Sequence, residues 1–237
     1  MSYKWNTRTE LLLGAERMEY LSHCHVLVVG LGGVGAYAAE QICRAGIGHM
    51  TIVDADTVND SNINRQLPAL HSTLGMQKAE VVGQRLLDIN PRLKLTILNE
   101  FLRDERTEEV LSAQKYDFIV DAIDSLSPKA YLLYHAYRRE IPIVSSMGAG
   151  AKIDPSQVKI ADISKTCNCA LAKAVRKRLR GMGLNKGIPV VFSTEIANPE
   201  AVVEVENEQC KRTTTGTVSY MPAIFSCYLA SYVIRNI

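Results

Sequence analysis

The sequence predicts an α/β fold with a doubly wound, mostly parallel sheet followed by a C-terminal half of different rhythm, and three observations predict it. A β-rich apolar run, His25 to Gly30, stops at a glycine cluster and gives way to helical periodicity from Val34 to Ala45. Short strand patterns then alternate with helical ones as far as Ile143 to Ser145, the rhythm of a parallel sheet whose crossovers are helices. A chain of 237 residues that is 47% hydrophobic also carries enough apolar surface to bury one full core.

The elements follow in order. Met1 to Leu21 scatters its charges and has no continuous apolar stretch, so it does not read as a secretory signal. After the first strand and helix, Met50 to Asp54 is a second strand ending in acid. The polar stretch Ala55 to Gly75 is too long for an ordinary α/β connection, which marks it as a functional loop before the amphipathic helix Met76 to Ile89. Strand patterns return at Leu93 to Leu98, Phe118 to Asp121 and Ile143 to Ser145, with helices between them at Glu105 to Ala113 and Pro128 to Glu140. Beyond Gly148-Ala149-Gly150 the rhythm changes: strands at Val158 to Ile160 and Val190 to Phe192 flank a basic helix, Ala170 to Arg180. The apolar run Met221 to Ile237 has 17 residues and a proline near its start, short for a membrane span, so a buried terminal helix is expected and membrane contact is not. No repeat or low-complexity linker interrupts the chain. A single domain over residues 1–237 is expected, with ligand chemistry in about 1–150 and substrate recognition in about 151–237.

Composition narrows the function classes only a little. A net charge of +2 neither demands nor forbids nucleic acid, because the total hides the distribution. Six cysteines, at 24, 43, 167, 169, 210 and 227, form no Cys-x-x-Cys pair and no framework spacing, which fits a reduced, cytoplasmic protein. They are expected as small core or surface residues, and His71 and His135 receive no role.

Gly30-Leu31-Gly32-Gly33-Val34-Gly35 satisfies G-x-G-x-x-G between a strand and a helix, the setting of a Rossmann-like nucleotide turn. Glycines let the backbone approach phosphate oxygens, and the helix N-terminus beyond supplies amide donors. Asp54, at the end of the second strand, is placed to accept hydrogen bonds from ribose hydroxyls. Taken alone, these residues fit NAD as well as ATP, and a dehydrogenase is the commoner outcome.

The long loop and the fourth strand separate the two. Arg65 in the loop and Lys78 at the start of the next helix supply cations that a triphosphate needs more than a pyrophosphate does. Asp124 closes Asp121-Ala122-Ile123-Asp124 at the carboxyl edge of the sheet, where a carboxylate can hold Mg2+ against phosphates. Each alone admits a plain alternative: Arg65 as a solvated loop charge, Lys78 as a helix-surface residue, Asp124 as the N-cap of the helix near Pro128. Together on one sheet edge they favour ATP.

These strings, Gly30 to Gly35, DADTVNDSNINRQ from Asp54 to Gln66, Lys78 and DAID, resemble the ATP site of the ubiquitin-activating-like, ThiF/MoeB-like adenylating superfamily, and the resemblance covers most of the chain. It implies that Gly30, Gly32, Gly33 and Gly35 cradle ATP, that Asp54 holds the ribose, that Asn62, Arg65 and Lys78 meet the phosphates, and that Asp124, with Ser125 beside it, holds Mg2+ through ATP. Arg8, in RTELLLG, matches the arginine that the family donates to its partner's ATP, which implies a homodimer. Arg65, Lys78, Asp124 and Arg8 are therefore the catalytic candidates.

The sulfur-carrier adenylating enzymes of this superfamily carry two Cys-x-x-Cys pairs for zinc, and none occurs here. RTELLLG, SNINRQLPALHSTLG, DAIDSLSPKA, GAGAKIDPSQ and VFSTE instead resemble the branch that dehydrates threonylcarbamoyladenosine in tRNA. That resemblance implies an acyl-adenylate made from the substrate carboxylate and tRNA as partner; it leaves a sulfur-transfer protein open and gives DNA no place. The runner-up is adenylation of a ubiquitin-like sulfur carrier, followed by an NAD-dependent dehydrogenase and by a nucleotide-binding regulator without turnover. Independently of the resemblance, Lys165 to Lys186 holds seven cations and no anion; of these Lys173, Arg176, Lys177, Arg178 and Arg180 are the expected tRNA contacts, against the alternative of a merely solvated helix face.

Overall fold

The computed structural model describes residues 5–208 and 211–237, and the side chains of all these outside 204–213. Cys210 lies outside the described residues. Two short helices, α1 (Thr7–Leu13) and α2 (Ala15–His23), precede β1 (His25–Val29), α3 (Gly35–Arg44) and β2 (His49–Val53). Next come α4 (Lys78–Ile89), β3 (Lys94–Leu98), α5 (Asp104–Ala113), β4 (Phe118–Asp121), α6 (Leu126–Arg138) and β5 (Ile143–Ser146). The chain closes with β6 (Val158–Asp162), α7 (Ala170–Gly181), β7 (Pro189–Ser193), the pair β8 (Val202–Glu208) and β9 (Lys211–Thr215), and α8 (Tyr220–Asn236).

Seven strands form one sheet in the order β3-β2-β1-β4-β5-β7-β6, parallel except that β6 runs antiparallel to β7. The α/β class and the mostly parallel sheet agree with the sequence reading. Strand β1 shows why its pattern is continuously apolar: Val26 and Val28 enter the core under α3, α4 and α8, while Leu27 and Val29 enter the core on the other face under α5, α6 and α7. A strand covered on both sides has no polar face to alternate with. The C-terminal apolar run is a buried helix. Met221, Phe225, Leu229 and Val233, spaced one turn apart along α8, are all fully buried. Among the described residues no helix is long and apolar enough to cross a membrane.

Strand order turns around between β1 and β4. One crossover leads away to β2 and β3, the other to β5, so the loops after β1 and β4 part and leave a crevice at the carboxyl edge. The functional loop, residues 55–75, closes onto itself over this crevice. Val58 N donates to Met76 O at 2.8 Å and Gly75 N to Val58 O at 2.9 Å, so its ends are pinned together.

Several boundaries differ from expectation. Helix α6 begins at Leu126 and not near Pro128, with Ser125 in the extended N-cap position, so Asp124 is not the cap. The amphipathic helix begins at Lys78, after Gln77, instead of at Met76. The helices α1 and α2 and the pair β8–β9 were not expected from the sequence.

Candidate functional site

The glycine turn grips its neighbours before it can grip a ligand. Gly30 has φ +88°, and a Cβ on it would lie 2.8 Å from Ala122 O; one on Gly35 would lie 1.7 Å from Gly30 O. These two glycines let α3 and the DAID segment close against the end of β1. Gly32 differs: a Cβ there would meet nothing nearer than Gln66 Nε2 at 3.7 Å. A Cβ on Gly33 would lie 3.1 Å from Pro222 of α8 and 3.5 Å from Arg65 O. No side chain caps α3, so its N-terminus at the crevice edge is of the kind that can receive an anion.

Asp54 is fastened to that turn. Its Oδ2 accepts the Leu31 N–H at 2.6 Å and its Oδ1 the Asp56 N–H at 2.8 Å. Burial holds its carboxyl above the usual carboxylate range, opposed by the Leu31 N–H and by the charge of Lys78. Lys78 is itself buried, with its Nζ 2.8 Å from Asp56 Oδ2 and its backbone N–H on Asp56 O at 2.9 Å. Asp56 was missed in the sequence. Its signal was the D-x-D spacing at the end of a strand, where the second acid can stand over the first.

Arg65 belongs to the site by its backbone. Its carbonyl stands against Gly33, while its guanidinium donates to Ser61 O at 2.7 Å and Asn64 Oδ1 at 2.8 Å. Asn62 is buried and braces the loop: its Oδ1 accepts the Asn59 N–H at 3.1 Å, and its carbonyl accepts those of Arg65 and Gln66 at 3.0 and 2.9 Å. That bracing role was not expected of it. Asp124 is exposed, three residues beyond the end of β4, and Ser125 follows it half-buried.

Beneath Asp124 lies a cluster that the sequence did not reveal. Lys129 and Asp121 are fully buried with Nζ and Oδ2 2.6 Å apart, and Ser145 Oγ donates to the same Oδ2 at 2.5 Å. The other oxygen, Oδ1, accepts the Ile123 N–H at 3.1 Å and so fixes the bend that carries Asp124. Lys129 reads in the sequence as an ordinary helix lysine; only the crossing of α6 over β4 and β5 gives it away.

Three chain segments thus converge at the sheet's switch point, carrying Gly30, Gly32, Gly33, Gly35, Asp54, Arg65, Lys78 and Asp124. A single exposed carboxylate fits a metal that takes most of its oxygens from phosphates and water, as Mg2+ does. Arg8 stands elsewhere, on the exposed surface of α1, which packs on α2 and buries none of its own residues. On α7, Lys173, Lys177, Arg178 and Arg180 are exposed. Arg176 departs from the expected set: its guanidinium turns inward onto the Thr166 carbonyl, at 3.0 Å, and the Thr166 hydroxyl. Cys24 and Cys43 are buried, and burial pushes the Cys43 thiol up to about 12.

Comparison with known proteins gives a consistent result. Residues 3–237 match the ThiF family. The tRNA threonylcarbamoyladenosine dehydratase of Bacillus subtilis is 37% identical over 98% of this chain and 93% of its own length, and that of Escherichia coli is 39% identical over 82% and 76%. The solved structure of the Escherichia coli enzyme TcdA in complex with ATP superposes with a TM-score of 0.86 at 34% identity, over 96% of this chain and 91% of that one. Molybdopterin-synthase adenylyltransferase of Salmonella typhimurium matches only 59% of the chain, at 33% identity.

Proposed function

This chain belongs to the ThiF family, and from that premise we infer that it uses ATP to cyclise threonylcarbamoyladenosine in tRNA through an acyl-adenylate. The observation that carries the reading is the convergence of the glycine turn, the 55–75 loop and the DAID segment at one switch point, with Arg65 and Lys78 on the same edge as Asp124. A carboxylate oxygen of the substrate attacks the α-phosphorus of ATP and pyrophosphate leaves. The carbamoyl group of the same substrate then attacks the activated carbonyl carbon, AMP departs with the bonding pair, and a proton passes to solvent; the net change is loss of water. Because nucleophile and electrophile sit in one molecule, proximity supplies much of the second step and no enzyme nucleophile is needed.

The residues divide this work. Gly32 and the α3 amides receive phosphate oxygens, Asp54 accepts from the ribose, and Arg65 and Lys78 neutralise charge developing at the phosphates. Asn62 braces the loop that presents Arg65. Asp124, with Ser125 beside it, holds Mg2+, which supplies Lewis-acid polarisation of the phosphates when bound. Arg8 reaches the site of a second copy, making the enzyme a homodimer. Lys173, Lys177, Arg178 and Arg180 present an exposed basic face to the tRNA backbone. ATP and tRNA as co-substrates place the work in the cytoplasm. Family membership sets the dehydrogenase reading aside, and the absence of Cys-x-x-Cys pairs disfavours sulfur-carrier adenylation.

The test is pyrophosphate release by purified protein with ATP, Mg2+ and tRNA bearing the modified adenosine. Release with that tRNA, together with a product nucleoside lighter by one water, is the expected result. Equal release with unmodified tRNA overturns the substrate.

A further inference from the structure

Beside the crevice opens a cavity of about 600 Å³, within the range of about 300–1,000 Å³ that small ligands occupy. Asn64, Lys152, Glu195, Asn198, Thr217 and Ser219 line it. Two struts join it to the nucleotide turn. Asn64 accepts from Arg65 Nη1 on one side and donates to Thr217 O at 3.0 Å on the other. Ser219 precedes α8, whose Pro222 packs on Gly33. The cavity and the glycine turn therefore share a wall.

The lining combines one buried cation, one carboxylate and several neutral polar groups. Lys152 is buried, and its Nζ donates to three neutral carbonyls, those of Asn168, Ser193 and Glu195, at 3.2, 3.2 and 2.6 Å. All three of its protons are thus spent on the protein, which pins the wall of the cavity, and the nearby Glu195 carboxylate offsets its charge. The Glu195 carboxylate is engaged by the N–H groups of Ile153 and Asp154, at 3.0 and 2.9 Å, which clamps the turn bearing Lys152 to the segment after β7. Asn64, Asn198, Thr217 and Ser219 add neutral amides and hydroxyls, groups that discriminate sharply in favour of a ligand able to pair with them.

We propose that this cavity holds the amino-acid arm of the modified nucleoside, a hydroxyl-bearing carboxylate joined to the base through a urea-type linkage, and aims its carboxylate past Asn64 toward the α-phosphate. The proposal rests on the adenylating function stated above and adds the place where the substrate is recognised.

Wild-type protein and two variants outside the nucleotide site test it. Ser219→Trp fills the cavity and Lys152→Met releases the three carbonyls that fix its wall. Each should raise KM for modified tRNA by about 10-fold or more while leaving ATP affinity within about twofold, since lost polar recognition acts on the acceptor and not on the nucleotide. A Ser219→Trp enzyme that binds ATP and keeps the wild-type KM for tRNA overturns the pocket. Should either substitution impair folding, hydrogen exchange on the wild-type protein decides: free threonylcarbamoyladenosine, but not adenosine, should slow exchange at residues 151–154 and 194–198, and protection elsewhere overturns the proposal. Wild-type protein that neither binds ATP nor releases pyrophosphate would refute the adenylating function itself, a different outcome from normal turnover with unaltered variants.

Discussion

Lys78 and Lys129 are both buried close to the crevice, yet different forces hold them there. Lys129 meets a fully buried Asp121, so each charge exists in the interior only because the other does. Truncating one partner leaves the other uncompensated, and Lys129→Met is expected to cost about 3–5 kcal/mol, read as a fall in the urea midpoint. Lys78 faces Asp56, whose side chain is 52% exposed, so water shares in that pairing. Its contribution is expected in turnover more than in folding. The Arg65 guanidinium, among the described residues, is hydrogen-bonded within its own loop by the contacts above. Arg65→Ala and Lys78→Ala should each lower kcat by about 10²–10³, the effect of removing one preorganised donor from a charged transition state. Arg65→Ala should leave the urea midpoint near that of the wild type. Full turnover in the Arg65 variant would withdraw its role.

At the scale of elements, α1 stands out because it gains so little from its own chain. Leu11 and Leu12 are 81% and 83% exposed and no residue of the helix is buried. In the proposed homodimer this apolar face would be buried as an arm laid across the second copy, with Arg8 at the partner's phosphates. Complementation tests the arrangement. Arg8→Ala and Asp124→Asn should each be inactive, whereas mixed subunits restore one complete site per heterodimer, roughly a quarter of full activity for random pairing in a two-fold dimer. No recovery on mixing would show that Arg8 does not act in trans. The same helix shows where the sequence stopped being legible. The central strands and α3 could be read because burial on both faces writes a continuous apolar pattern into Val26 to Val29 and a periodic one into Ala36 to Cys43. The placement of the glycines, Asp54, Arg65, Lys78 and Asp124 at one sheet edge could be read because each lies at the carboxyl end of a strand that the apolar pattern marks or in the segment that follows it. By contrast, α1 has no buried face and so no period, and Lys129, Asp121 and Lys152 acquire their character only where separate elements meet. The start of α6, read near Pro128, lies two residues earlier because Ser125, a good capping residue, takes the extended N-cap position.

For the whole molecule, the two edges of the sheet carry different titratable groups. The carboxyl edge carries the crevice, while the opposite edge carries His25 at the start of β1, 9% exposed and packed among Thr51, Tyr116 and His49. Burial holds the His25 imidazole below its ordinary range and the neighbouring His49 adds to this, while Asp117 and a Lys115 backbone contact oppose it. The sign follows from which state binds the proton. Above the unfolded-state pKa of about 6.5 both states are neutral and the contribution to stability is complete. As pH falls through that value the unfolded chain takes up a proton that the folded one refuses, so stability declines until the lower folded pKa is reached. His49 and His135 are shifted in the same direction by burial and add to the trend. The melting temperature should therefore drop between about pH 7 and 5, and His25→Gln, which can keep a hydrogen bond to Thr51 without titrating, should flatten part of that slope. Because His25 lies at the far end of β1 from Gly30, ATP affinity in the variant should match the wild type at each pH. A variant whose melting curve keeps the full wild-type slope would assign the acid sensitivity to other groups.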